Sequence, residues 1–278
     1  MIQDIAPHRL RNEYDPQAKP AAEDLVITFD ETGRVLSKAN EYASIDFPTV
    51  ATLGEDLPYQ YLFRVDETTY WMLWEKKDLV VPEGYDYLTL MDVRKHRIGP
   101  REQRYALYTA KHLDAWYGNS KFCGKCGGAA VHDQTERAMT CSVCGSKNYP
   151  RIMPAVIVGV RNGDQLLLTK YATGFRENAL IAGFVEIGET AEETVAREVM
   201  EEAGVKVKNV QYYKSQPWGV ASDLLLGYYC DVDGDDTITM DANELKYAEW
   251  VKREDIVLQS NDDSLTNEMM TMFKSGLK

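Results

Sequence analysis

Gly183-Phe184-Val185-Glu186-Ile187-Gly188-Glu189-Thr190-Ala191-Glu192-Glu193-Thr194-Val195-Ala196-Arg197-Glu198-Val199-Met200-Glu201-Glu202-Ala203-Gly204-Val205 decides the reading of this chain. Thr190 is followed three residues later by Glu193, the spacing of a capping box, and Gly204 supplies a C-terminal stop. The spacing predicts a helix over Ala191–Ala203. At 3.6 residues per turn Glu198 shares a face with Glu201 and Glu202, while Ala191, Val195 and Val199 form an apolar side that faces a sheet. Three carboxylates on one face repel one another and weaken an isolated helix. Bound divalent cations remove that repulsion, and hard oxygen ligands suit Mg²⁺ or Mn²⁺, which bridge to phosphate oxygens. The chemistry indicated is attack of water on phosphorus, with a carboxylate taking the proton. Three acids alone would read more simply as a solvated helix face; the complete pattern around them overrules that.

Working outward, the runs 151–160 and 165–169 flank Asn162-Gly163-Asp164, a strand-turn-strand signal. Strands are expected again at 224–232 and 246–251, then a helix at 265–274, with the acidic turn 231–236 as a solvated loop. Cys230 sits in the apolar run 224–230 and reads as a small buried hydrophobe on a strand.

Upstream, Cys123-Gly-Lys-Cys126 and Cys141-Ser-Val-Cys144 are two knuckles, each followed by glycine. Two-residue spacing lets two thiolates converge on one cation, and four complete a closed tetrahedron suited to structural Zn²⁺. Redox pairs or disulfides are the competing reading, and the doubled spacing argues against it. A closed site has no open position for water or substrate, so this metal serves folding. Around it Lys121, Lys125, Arg137, Lys147 and Arg151 outnumber Asp133 and Glu136, a basic patch that is either a solvated face or a guide for polyphosphate.

The first hundred residues alternate apolar and polar in short runs: 25–29, 59–65, 69–74 and 85–91, with Asp66-Glu67-Thr68 as a hairpin loop. From Pro100 the period changes. Tyr105, Tyr108, His112 and Trp116 share a helical face, read as core packing, while Arg101, Glu102, Arg104 and Lys111 are expected to reach water. The four histidines are scattered singly and none is nominated as a ligand. The expected organisation is a mostly β domain with a closing helix over 1–116, a zinc ribbon over 117–150 and a catalytic domain over 151–278.

With 31 basic and 44 acidic residues the net charge is −13, which disfavours non-specific nucleic-acid binding. The amino terminus MIQDIAPHRLRNEYD lacks a signal-peptide core, and the apolar run 154–160 is too short to span a bilayer. A soluble cytoplasmic protein without membrane partners is expected.

The opening stretch matches Gly-x5-Glu-x7-Arg-Glu-U-x-Glu-Glu-x-Gly-U, with U aliphatic, at every position, and on it the chain resembles the Nudix hydrolases. The leading β domain, the ribbon, the box, and Ser215-Gln216-Pro217-Trp218 beyond it together resemble the bacterial zinc-ribbon NADH pyrophosphatases (NAD diphosphatases). That resemblance implies an α+β architecture with a C-terminal α/β/α Nudix sandwich, a homodimer, and cleavage of NAD(H) to nicotinamide mononucleotide and AMP; some members also remove NAD caps from RNA. It implies catalytic Mg²⁺ or Mn²⁺ on Glu198, Glu201 and Glu202, the carbonyl of Ala182 and a later acid matching Glu244. Arg197 would hold the box together, Glu189 would brace loop and helix, and dinucleotide contacts would fall on Tyr149, Phe184 and the segment beginning at Gln216, through Pro217 and Trp218 to Gly219, Val220, Ala221, Ser222 and Asp223.

The family signature continues past the tryptophan with Pro-Phe-Pro, x and Ser, whereas this chain has Gly219-Val220-Ala221, Ser222 and Asp223. These substitutions imply a more flexible loop and a negative charge near an anionic ligand. Rival substrates for the same chemistry are ADP-ribose, a dinucleoside polyphosphate and NAD-capped RNA. A rival of another class is a ligand-sensing or DNA-binding regulator, against which the intact set of acids speaks.

Overall fold

The computed structural model describes residues 1–38, 44–76, 79–173, 176–243 and 245–278. Its contacts divide the chain into two compact units. One comprises residues 2–151 together with 219–222; the other comprises Met1, 152–218 and 223–278.

In the first unit β1 (Leu10–Arg11), β2 (Leu25–Val26), β4 (Tyr59–Val65) and β5 (Thr68–Leu73) form a four-stranded sheet in the order β1-β4-β5-β2. The β4–β5 hairpin turns at Asp66-Glu67, with Asp66 in the left-handed region at φ 52°, and Thr68 already pairs with Val65. Val26, Tyr61, Trp71 and Leu73 of these strands build a core together with Val50. β3 (Val35–Lys38) and β6 (Tyr85–Leu88) form a separate antiparallel pair, and α1 (Val50–Leu53) is a single turn.

Helix α2 (Leu90–His96) corrects one expectation: Met91 lies in a helix, not a strand, because Thr89 caps it through its side chain to the backbone of Asp92. The strand expected at 25–29 shortens to β2, with Phe29 in an isolated bridge to Val35. α3 (Arg101–Asn119) runs past residue 116, and buries Leu107, Tyr108, Ala110, Leu113, Trp116 and Tyr117. Arg104 is also buried rather than solvated, its Nη1 donating to the Gly99 carbonyl at 2.5 Å, so the polar end is satisfied without water. The ribbon follows as β7 (Ala130–His132), β8 (Met139–Cys141) and β9 (Lys147–Asn148) in one antiparallel sheet.

The second unit is built on β10 (Met153–Asn162), β11 (Gln165–Tyr171), β12 (Ile181–Phe184), β13 (Val207–Trp218), β14 (Asp223–Val232) and β15 (Leu245–Lys252). The sheet order is β13-β14-β10-β11-β15, with β12 also paired to β10; β10 and β14 are parallel neighbours. Burial on both faces explains the near-continuous apolar run of β10. Ala155 and Ile157 pack with Leu265, Met269, Met270 and Phe273 of α5 (Leu265–Lys274). Val156, Val158 and Val160 pack with Val195, Val199 and Ala203 of α4 (Ala191–Ala203). Each large side chain so buried contributes roughly 1.5–3 kcal/mol, and the result is a sheet between two helices. Among the described residues no helix is long and apolar enough to cross a membrane.

Candidate active site

The box helix forms over Ala191–Ala203 as its caps dictate. The Thr190 side chain accepts from the backbone of Glu193, the Glu193 carboxylate accepts from the backbone of Thr190, and Gly204 closes the helix at φ 71°. Burying Val195 and Val199 against the sheet turns Glu198 and Glu202 inward, where both are buried, and leaves Glu201 exposed.

Arg197 is the hub of this surface. Its Nε and Nη2 donate to the two oxygens of Glu189 at 2.7 and 2.9 Å, and Nη1 donates to Glu198 at 2.7 Å and Glu201 at 3.0 Å. Nη2 also donates to the Phe184 carbonyl at 2.9 Å, tying the end of β12 to α4. The guanidinium holds the Glu189 carboxyl down to about 2, with help from the Thr194 hydroxyl, which donates at 2.9 Å. Thr194 escaped the sequence reading; its signal is its place one turn after the cap, facing inward beside Val195.

Gly183 precedes Phe184 in β12 and pairs with Val156. A side chain there has no room, since a Cβ on Gly183 would fall on the carboxyl group of Glu198. The first glycine of the box is therefore a cradle for its first helical carboxylate. Strand backbone at Gly183 therefore lies beside the Glu198 carboxylate, and Ala182 is the preceding residue of the same strand. Among the described residues the three box glutamates do not converge as tightly as the four cysteines do, and Arg197 supplies the positive charge between two of them. Glu244, the fourth expected acid, lies outside the described residues.

The ribbon brings Cys123, Cys126, Cys141 and Cys144 together with all four sulfurs within 4.8 Å of one another. The Cys126 sulfur lies 3.5 Å from those of Cys141 and Cys144, and Cys123 lies 3.8 Å from Cys144. A tetrahedron with Zn–S bonds of about 2.3 Å has edges of about 3.8 Å, so the donors fit Zn²⁺. Gly127 and Gly145 stand in the left-handed region at φ 75° and 71°, letting their amides return to the Cys123 and Cys141 carbonyls. Backbone amides of Cys144 and Val143 pull the Cys141 thiol down to about 6, towards the thiolate a metal needs.

The basic patch around the ribbon is largely spent internally. Lys147 pairs with Asp133 at 2.8 Å and Glu136 at 2.6 Å, Arg137 donates to the Leu62 carbonyl at 2.6 Å, and Lys121 lies over the Trp74 ring.

The remaining expected contacts separate. Phe184 and Tyr149 present exposed rings, and the Tyr149 hydroxyl donates to Glu136 at 3.0 Å. Pro217 is exposed and Trp218 half-buried against the core. Gln216 is fully buried: its amide nitrogen donates to the Asp263 carbonyl and its oxygen accepts from the Leu265 backbone, each at 2.7 Å. It thus satisfies the first backbone amide of α5, beside the Ser264 N-cap. Gly219 is buried, and a Cβ on it would fall on the backbone carbonyl of Tyr108. The flexible loop expected from Gly219 is instead closely packed at that residue, beside the more exposed Val220, Ala221 and Ser222, the last at φ 66°. Asp223 is buried at the start of β14, its Oδ1 lacks a hydrogen-bond partner, and burial pushes its carboxyl up to about 6. The surface charge expected of it is thereby muted.

Residues 151–272 match the NUDIX domain family, and the chain carries a Nudix domain there. The chain is 44% identical over 147 residues to the NAD-capped RNA hydrolase NudC of Enterobacter sp. (strain 638), covering 52% of this chain and 57% of that protein. It is 43% identical over 149 residues to that of Escherichia coli (strain K12 / DH10B), with the same shares. The match thus spans little more than half the length of these relatives. Among solved structures, a NUDIX hydrolase from Nitrosomonas europaea aligns with TM-score 0.41 and 22% identity over 49% of this chain and 80% of its own.

Proposed function

We propose that this chain is a metal-dependent pyrophosphohydrolase acting on NAD(H)-type dinucleotides and releasing nicotinamide mononucleotide and AMP. The observation that carries this is the Gly183–Glu198–Arg197–Glu189 arrangement, in which buried carboxylate, cradle and brace are built together on the Nudix helix. Likeness to the NAD-capped RNA hydrolases over about half their length supports the dinucleotide.

In this reading Glu198, Glu201, Glu202, the Ala182 carbonyl and Glu244 hold Mg²⁺ or Mn²⁺. The cations, when bound, neutralise charge on the pyrophosphate and orient the attacking water. A box carboxylate accepts the proton of that water. Arg197 and Glu189 are positioning residues: their paired hydrogen bonds fix the 184–190 loop against α4. Phe184 and Tyr149 offer rings on which bases stack, with Pro217 and Trp218, and with Val220, Ala221, Ser222 and Asp223 on the adjoining segment. The four cysteines hold Zn²⁺ for folding. A homodimer in the cytoplasm, and the division into 1–116, 117–150 and 151–278, belong to the same proposal.

NAD-capped RNA is the second reading, favoured by the printed activity of the relatives. Initial rates on NADH, NAD⁺, ADP-ribose, diadenosine polyphosphates and NAD-capped RNA, each with Mg²⁺ and Mn²⁺, test both. Turnover of NADH or NAD⁺ above the other small substrates is expected; no turnover of any would return the chain to the sensing class.

A further inference from the structure

Five of the nine residues 259–267 carry polar side chains that are at most 8% exposed: Gln259, Asn261, Asp263, Ser264 and Asn267. Burying polar groups stabilises less than burying apolar ones of similar volume; what a satisfied network adds is a single fixed arrangement. Asn267, in the first turn of α5, accepts from the Gln259 backbone amide at 2.8 Å and donates to the Asn261 carbonyl at 2.6 Å. The Gln259 side chain is engaged at both ends of its amide. Its oxygen accepts from the Ser264 hydroxyl at 2.7 Å, and its nitrogen donates to the Asn178 carbonyl at 2.8 Å. Asn178 returns a bond from its own side-chain nitrogen to the Val257 carbonyl at 2.9 Å. The 257–259 segment and the chain entering β12 are thus clasped from both sides.

Asn178 stands five positions before Gly183. Between them the chain is held at Ala179, whose backbone exchanges bonds with Thr169 at 2.8 and 3.0 Å, and then by β12, which has four residues and pairs, among the described strands, with β10 alone. So short a ladder specifies its register weakly, and a slip of one residue turns the opposite set of side chains to each face. Here a slip would set the Cβ of Ala182 or Phe184 where Gly183 leaves room for the Glu198 carboxyl group. One residue of strand is about 3.3 Å, so such a slip breaks the 2.8 Å bond between Gln259 and Asn178.

We propose that Gln259 is a positioning residue for Glu198, acting through the register of β12; the role rests on the hydrolytic reading of the box. It touches neither Glu198 nor the substrate, and it holds the strand whose missing side chain gives that carboxylate its place.

The test is titration of the intact protein with Mn²⁺, read by electron paramagnetic resonance without substrate, the box site being the binding lost in Glu198→Gln. Gln259→Glu keeps the shape of the side chain and the acceptor for Ser264 but, as a carboxylate, cannot donate to the Asn178 carbonyl, and should weaken Mn²⁺ at the box at least about tenfold. Asn261→Ala removes a buried polar side chain of the same network without touching Asn178, and should lower the melting temperature while leaving Mn²⁺ affinity unchanged. Should Gln259→Glu fold poorly, Asn178→Ala, which opens the same clasp from its half-buried side, should weaken Mn²⁺ in the same direction. Wild-type Mn²⁺ affinity in Gln259→Glu and Asn178→Ala, or equal weakening in Asn261→Ala, overturns the proposal. Mn²⁺ binding at the box without turnover of any pyrophosphate removes the hydrolytic reading and leaves these comparisons to decide the role of Gln259; no Mn²⁺ at the box of the wild type removes both.

Discussion

The carboxyl group of Glu198 occupies the volume that a side chain on Gly183 would fill. The two are fifteen positions apart in the chain, yet one exists in its buried position only because the other has no Cβ. Gly183→Ala should therefore displace Glu198 and lower kcat at least about 100-fold while the far-UV spectrum stays native. Wild-type kcat in Gly183→Ala would show that Glu198 is not held where the reaction needs it.

Glu202 is buried at the inner end of the same helical face. Glu202→Gln should preserve the fold and lower turnover by at least about 100-fold at saturating Mg²⁺, because it removes a carboxylate that positions cations. Near-normal turnover would take Glu202 out of the site.

Cys141 is the buried corner of the sulfur tetrahedron. Cys141→Ser should release zinc and lower the melting temperature, since a structural site's binding energy is folding energy. One zinc per chain at the original Tm, read by elemental analysis and calorimetry, would contradict the ribbon.

Asp223 makes a pH prediction with an unusual sign. Burial raises its folded pKa from 3.8 to about 6, so between these values the folded state binds more protons than the unfolded one. Its cost is therefore absent below about pH 3.8, grows as pH rises and is complete above about pH 6. Asp223→Asn should stabilise the protein at pH 7.5, by up to roughly 3 kcal/mol, and change little at pH 4. Equal effects at both values, read from urea midpoints, would mean the charge is not the cause.

The loop after Trp218 departs from the family signature at a place where tertiary packing forbids full reversion. Gly219→Pro should destabilise by about 1–3 kcal/mol, because its Cβ meets the Tyr108 carbonyl. Val220→Phe, at a position 40% exposed, has room and should raise kcat/KM for NADH about fivefold more than for ADP-ribose, which lacks the second base. Equal gains on both substrates would show that Val220 does not face the nicotinamide half.

Where local signals agree, the sequence was transparent. Thr190, Glu193, the Val195–Val199 stripe and Gly204 all argue for one helix, and α4 has those bounds. Cysteine spacing alone located the sulfur cluster, because two-residue knuckles constrain geometry without help from the rest of the fold. β13 was missed: Val207–Trp218 mixes lysine, asparagine and tyrosine, and two register shifts against β14 break its alternation. The surroundings of Gln216, Gly219 and Asp223 are not legible in the sequence, since the bond to the first amide of α5, contact with Tyr108 and burial at a strand start are all set by residues distant in sequence.

Residues 219–222 belong by their contacts to the unit formed by 2–151, while the chain on either side belongs to the other. The polypeptide therefore passes between its units at Met1/Ile2, Arg151/Ile152, Trp218/Gly219 and Ser222/Asp223. This breaks simple modularity. A gene truncated after Arg151 therefore yields neither unit whole, since 219–222 are lost to the first and present without their contacts in the second. Shuffling residues 152–278 onto another partner would carry Gly219 along without the Tyr108 carbonyl it is shaped to meet.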